Sequence, residues 1–143
     1  MTTELERVGL SFDTLPPPQK AYFLTHIWNG VGSRHFFINP HDLIFKEASI
    51  YHDFYYWRGG PEKVRLMADK DFFMRCKDAV KKAPWHLRPF YSIAAIVYTQ
   101  FLRLGKSAWE YGEVPAQNWE QFIHNIECFY DMNPRLPRPP KYR

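Results

Sequence analysis

The chain is poor in the features that would place it in many protein classes. It has only two cysteines in 143 residues, Cys76 and Cys128, far apart and in no metal-ligand spacing. Neither a disulfide framework nor a zinc knuckle is signalled. Met1 to Asp13 has scattered acids and no apolar core of the kind a secretory leader needs, and no later run approaches the ~20 apolar residues of a membrane span. These absences predict a cytoplasmic protein. Stretches rich in Val, Ile and Thr that alternate with period two are also missing, so strand content is expected to be slight. Internal repeats are absent.

Charge of one sign is scarce once it is located. The formal net charge of +4 resides in residues 133–143, where Arg135, Arg138, Lys141 and Arg143 stand without an acid, and the remaining 15 basic residues balance the 15 acids. The tail Asn133-Pro134-Arg135-Leu136-Pro137-Arg138-Pro139-Pro140 cannot continue a helix; it is expected to be extended, polyproline-like and mobile. The division is therefore a helical domain over 1–132 and a basic proline-rich tail over 133–143. A nucleic-acid binder needs basic residues interleaved with its aromatics on one face, and a neutral body does not offer them. At this length one domain can bury about two thirds of its unfolded surface.

What the chain does have is helix punctuation. Pro16-Pro17-Pro18 leads into a helix over about 17–28 that ends at Asn29-Gly30-Val31-Gly32-Ser33. Asn39 as N-cap, Pro40 at the first helical position and Asp42 in the first turn open the next, in which Leu43, Ile44, Ala48, Tyr51 and Tyr55 recur at helical spacing until Gly59-Gly60. Pro61-Glu62 starts a second long helix to about Lys82, its core positions Val64, Met67, Ala68, Phe72, Cys76 and Val80, and Pro84 breaks it. A third runs from near Pro89 through Ile93, Ile96, Val97, Phe101 and Leu104 to about Trp109. A fourth spans about 115–130 with Trp119, Phe122, Ile123, Ile126 and Phe129. The fold class is all-α.

Within the first long helix, Ser49-Ile50-Tyr51-His52-Asp53-Phe54-Tyr55-Tyr56 sets a titratable base beside a carboxylate, with a tyrosine one turn later. Each residue has an ordinary alternative. His52 as a buried imidazole on a backbone carbonyl, Tyr56 as plain core and Asp69 paired with Arg65 or Lys70 on a solvated face would carry no chemistry. Sites are recognised from mutual geometry, so the constellation counts for more than its parts.

Phe45-x-x-Ala48-Ser49-x-x-His52-Asp53-Phe54-x-Tyr56 resembles the catalytic helix of phospholipase A2 enzymes, in the small, mostly helical bacterial and fungal branch. Four more segments are similar in order and spacing. Trp28-Asn29-Gly30-Val31-Gly32 resembles the calcium loop, and Asn39-Pro40 the pair before the catalytic helix. Arg65-Leu66-Met67-Ala68-Asp69-Lys70-Asp71-Phe72 resembles the segment with the second aspartate, and Tyr98 to Gly105 a later helix. The likeness covers about residues 28 to 105. Ser49 stands where the family has a cysteine, and the partner half-cystines are missing.

The resemblance implies a small phospholipase A2-like fold in which two long antiparallel helices carry the site, with flanking helices around them. It implies calcium-dependent hydrolysis of phospholipid acyl esters. His52 acts as the base on water, Asp69 fixes its tautomer and stabilises the imidazolium, and Tyr56 bonds Asp69. Ca2+ sits on Asp53 and the carbonyls of Trp28, Gly30 and Gly32, and polarises the ester. Phe23, Ile27, Phe36 and Phe37 are the expected apolar wall of the cleft, and a phospholipid, with peripheral contact to a membrane surface, is the expected partner. Two other readings remain. One is a catalytically silent domain of the same fold that binds lipid or protein; the other is a helical His-Asp metal-dependent phosphohydrolase recruiting His26, His35 or His41.

Overall fold

The computed structural model describes residues 3–28, 44–104 and 114–142, and side chains of 101–104 are not among the described features. Every regular element of the described residues is helical. They are α1 (Glu4–Arg7), α2 (Pro17–Tyr22, continued by a π-helical turn Phe23–Ile27), α3 (Lys46–Arg58), α4 (Glu62–Lys82), α5 (Arg88–Leu104) and α6 (Trp119–Met132). Short 3-10 turns at Phe12–Thr14 and Trp85–Leu87 precede α2 and α5.

Local chemistry sets most boundaries. Pro17 opens α2 where its missing N–H costs nothing. Pro61 precedes α4, and the expected limits of that helix, Glu62 and Lys82, are those observed. Thr3 and Glu6 close a capping box on α1, a helix too short to show as a periodic pattern. The Asn118 side chain accepts from Gln121 N at 2.9 Å, which moves the start of α6 to Trp119. Asn39, Pro40, Asp42 and Leu43 lie outside the described residues, and α3 is seen from Lys46.

Between α3 and α4 the chain reverses through Gly59 (φ 78°) and Gly60 (φ 119°), conformations open to glycine and strained for other residues. A Cβ on Gly60 would also meet Pro115 Cγ at 2.9 Å. The tight turn makes α3 and α4 antiparallel neighbours. Pairings of His52 with Asp69 and of Tyr51 with Arg75 fix their register.

Two apolar clusters flank this hairpin. On one side the N-terminal segment, α2 and α6 bring Leu5, Phe12, Phe23, Trp119, Phe122 and Ile126 against Phe54, Tyr55 and Ala68. Phe54 stacks on Phe122 with ring centroids 4.7 Å apart. Across the hairpin α5 lays Ala95 and Tyr98 against Phe45, Ala48, Phe72, Cys76 and Val80.

One face is not foreseen by the sequence, and two expectations need correction. The face of α5 marked by Ile93, Ile96 and Val97 points to solvent, while Ala95, Tyr98 and Thr99 face inward. Ala95 and Tyr98 fill the seam against Phe72, Cys76 and Val80 of α4, and the larger aliphatics lie outside it. Phe23 and Ile27 are fully buried in the aromatic cluster and cannot wall an open cleft; Phe36 and Phe37 lie outside the described residues. The tail does not continue the helix, but it turns at 133–136 and does not stand free. Tyr142 packs edge-on against Tyr22 and Trp119, the Tyr22 hydroxyl donates to Pro140 O at 2.6 Å, and Arg138 pairs with Asp131 at 2.7 Å. A terminal aromatic supplies the apolar area that the Pro-Arg run lacks.

Candidate functional site

His52 and Asp69 meet in the seam between α3 and α4, about two helical turns from the glycine reversal. His52 Nε2 lies 2.8 Å from Asp69 Oδ1, and the Tyr56 hydroxyl donates to the same oxygen at 2.7 Å. Arg65 Nε reaches the Tyr56 oxygen at 3.4 Å, adding a cation behind the phenol. All four side chains are buried. Residues 52 and 56 are one turn apart on α3, as 65 and 69 are on α4, so antiparallel packing alone brings the four to one point.

The electrostatics follow from that burial. Desolvation pulls the His52 imidazole below its ordinary value, against the opposing pull of the Asp69 carboxylate. A neutral imidazole facing a carboxylate through Nε2 must carry its proton there, which leaves the lone pair on Nδ1. Nδ1 has no hydrogen-bond partner among the described residues, and neither has Asp69 Oδ2. Tyr56 rests against the imidazole with centroids 4.1 Å apart, and Phe72 closes the other side at 5.3 Å. Burial also pushes the Tyr56 phenol well above its usual range, so it stays protonated and keeps its hydrogen for Asp69. Desolvation works against the Arg65 charge, but Tyr56 and Asp69 more than offset it and hold the guanidinium protonated.

Chemically the arrangement is a base whose orientation and tautomer are imposed from behind. Asp69 and Tyr56 restrain the ring through Nε2 while Nδ1 has no partner among the described residues, the division of labour that a histidine needs to take a proton from water or an alcohol.

Of the expected metal ligands, Asp53 and Trp28 lie among the described residues. Asp53 follows His52 on α3, half-buried, with one carboxylate oxygen fully covered. The backbone of Trp28 lies at the end of the π-helical turn, and its indole N–H donates to Ser49 Oγ at 3.2 Å. Ser49 in turn donates to Lys46 O at 2.7 Å. The residue that departs from the family pattern is thus a fully buried tie between the start of the loop and α3. Gly30 and Gly32 lie outside the described residues. Among the described residues no three His, Cys, Asp or Glu side chains converge on a common point.

His26 is exposed and lies against the Tyr22 ring, not against His52; His35 and His41 lie outside the described residues. Arg65 is the contributor that sequence reasoning missed as part of the network. Its place four residues before Asp69 gave it as a simple ion-pair partner, and only the packing of α3 shows that it reaches Tyr56.

The described molecule is thus an all-helical protein built around a buried His-carboxylate-Tyr network on an antiparallel helix pair. No protein-family model, curated protein or solved structure matches the chain. None of its helices is long and apolar enough, among the described residues, to cross a membrane.

Proposed function

We propose that this chain is a phospholipase A2-like hydrolase that cleaves acyl esters of phospholipids with the help of Ca2+. The observation that carries the reading is the His52–Asp69–Tyr56 network, with the imidazole bonded through Nε2 and its Nδ1 without a partner among the described residues. The sequence resemblance over residues 28–105 supplies the reaction class, and the antiparallel α3–α4 pair supplies the frame that the resemblance implies.

In the proposed reaction His52 Nδ1 takes a proton from a water molecule as the oxygen attacks the ester carbonyl carbon. The proton then passes from the imidazolium to the departing alcohol oxygen as the C–O bond breaks, giving a free fatty acid and a lysophospholipid. Asp69 stabilises the imidazolium through Nε2–H and stays ionised, and Tyr56 keeps the carboxylate aligned. Asp53, with carbonyls of Trp28, Gly30 and Gly32, is the proposed holder of Ca2+. The ion supplies Lewis-acid stabilisation of the negative charge that develops on the carbonyl oxygen.

The test is release of fatty acid from mixed phospholipid vesicles with Ca2+ or with chelator. Calcium-stimulated release is expected, with loss of turnover in His52→Ala at unchanged calcium affinity, because imidazole is not a ligand. Asp53→Asn is expected to weaken calcium binding and stop turnover together. No release by the wild type and no calcium binding up to ~10 mM, a range that includes weak extracellular-type sites, overturn the reading. A catalytically silent lipid- or protein-binding domain is then the better description.

A further inference from the structure

The outward face of α5 and the turn before it is the least expected surface of the molecule. Trp85, Phe90, Ile93, Ile96 and Val97 are each between 49% and 78% exposed, and Leu66 of α4 extends the patch at 53%. Residues 90, 93, 96 and 97 fall on one stripe of a helix, so this is a continuous apolar ridge and not scattered side chains. Monomeric proteins seldom leave such a ridge bare.

The stretch of chain that carries it is basic. From Ala79 to Trp109 the sequence contains no Asp or Glu, and it contains Lys81, Lys82, Arg88, Arg103 and Lys106. Lys81, Lys82 and Arg88 are exposed at the Trp85 end of the ridge. Arg88 is held there by hydrogen bonds from Nε to Ala83 O at 3.0 Å and from Nη2 to Lys81 O at 3.1 Å.

We propose that this ridge docks the protein onto an anionic membrane surface, with Phe90, Ile93, Ile96 and Val97 entering the acyl boundary, Trp85 at headgroup level and the lysines at the phosphates. The chemistry matches an interfacial helix, which pairs an apolar stripe with basic flanks and an aromatic at the polar boundary. A second copy of the chain fits less well. A two-fold pairing of this face would set the same basic residues against each other with no acid from Ala79 to Trp109 to answer them. The ridge also borders a cavity of about 430 Å3 lined by Leu66, Asp69, Lys70, Phe73, Ile96 and Thr99. The proposal deepens the phospholipid reading and rests on it for its biological sense, while its geometry stands on the surface alone.

Flotation of the full chain with vesicles, in chelator, tests it. Wild-type protein is expected to float with vesicles containing about 30% phosphatidylglycerol and not with pure phosphatidylcholine, and to be released by about 0.5 M salt. The double variant Ile93→Ser/Ile96→Ser is expected to lower partitioning at least about tenfold, since two aliphatic side chains leave the bilayer. Its melting temperature should not fall, because both side chains are exposed. Trp85→Ser, outside the helix, is a second variant with the same expected direction. His52→Ala should float like the wild type, so failure of ester hydrolysis and failure of docking are separately visible. Absence of flotation with anionic vesicles, or flotation unaltered in both ridge variants, overturns the proposal. So does a dimer seen by light scattering that the double variant abolishes, which would assign the ridge to a second copy.

Discussion

At the scale of single residues, His52 makes the sharpest statement. Burial lowers its proton affinity in the folded chain, whereas the unfolded chain keeps an ordinary imidazole value of about 6.5. Between those two values the unfolded state binds the extra proton, so stability should fall as pH drops below about 6.5 and be recovered as it rises. Urea melts at several pH values check this: His52→Gln should flatten that part of the profile, and an unchanged slope would show that His52 is not the group responsible. Tyr56→Phe removes one of two hydrogen bonds to Asp69 Oδ1. Because His52 still satisfies that oxygen, the expected loss is modest, about 1 kcal/mol in the same melts. Cys76 is fully buried, and desolvation pushes its thiol up to about 12, whereas Cys128 is part-exposed beside His124. Thiol titration should therefore count one reactive cysteine in the native protein and two in denaturant.

Between elements, the register of α3 on α4 decides whether the site exists. Gly60 controls it through a backbone conformation strained for side-chain-bearing residues and through its closeness to Pro115. Gly60→Ala adds a Cβ that must displace that proline, and a cost above about 1 kcal/mol is expected. If the turn yields by shifting α4, ester hydrolysis should fall along with the melting temperature; a variant as stable as the wild type would mean that the turn is softer than its dihedrals imply. At this same end of the hairpin, Asn125 of α6 donates to Trp57 O and Arg58 O, and Ala116 N donates to Arg58 O at 2.8 Å. These bonds satisfy carbonyls that a helix end leaves open, and they lock the 115–118 segment onto α3. Much of this level was legible in advance. Glu62–Lys82 was readable because Pro61 and Pro84 bracket an unbroken period, whereas the four-residue α1 was not, since one turn holds no period to detect.

For the whole molecule, the two clusters on either side of the hairpin explain why the site is buried, and the tail explains how the surface of one cluster is finished. Tyr142 seats against Tyr22 and Trp119, so Tyr142→Ala should lower stability by about 1 kcal/mol, the scale of an edge-to-face ring contact with its buried area. An unaffected melt would return the tail to the freely solvated segment that its composition implies. Arg58 is a different global feature, fully buried with Nε and Nη2 lacking hydrogen-bond partners and no carboxylate among its described contacts. Burial draws its guanidinium down to about 10. It rests on the Tyr55 ring at 4.7 Å and donates to Leu10 O at 3.1 Å, contacts that join α3 to the N-terminal segment.

By itself the sequence determined the all-helical class, the limits of α4, the reduced state of both cysteines and the spacing that lets His52, Tyr56 and Asp69 share a seam. Those depend on proline and glycine punctuation and on a 3.6-residue period, which are local. Tertiary structure decided the rest. Whether the apolar stripe of α5 faces in or out cannot be read from its period, because periodicity marks a face without saying what covers it. Phe23 and Ile27 look equally suited to a cleft and to a core until α6 brings Phe122 against them. The position of Arg65 behind Tyr56 and of the tail on Trp119 likewise depends on contacts between segments distant in the chain, and those are settled only when the helices pack.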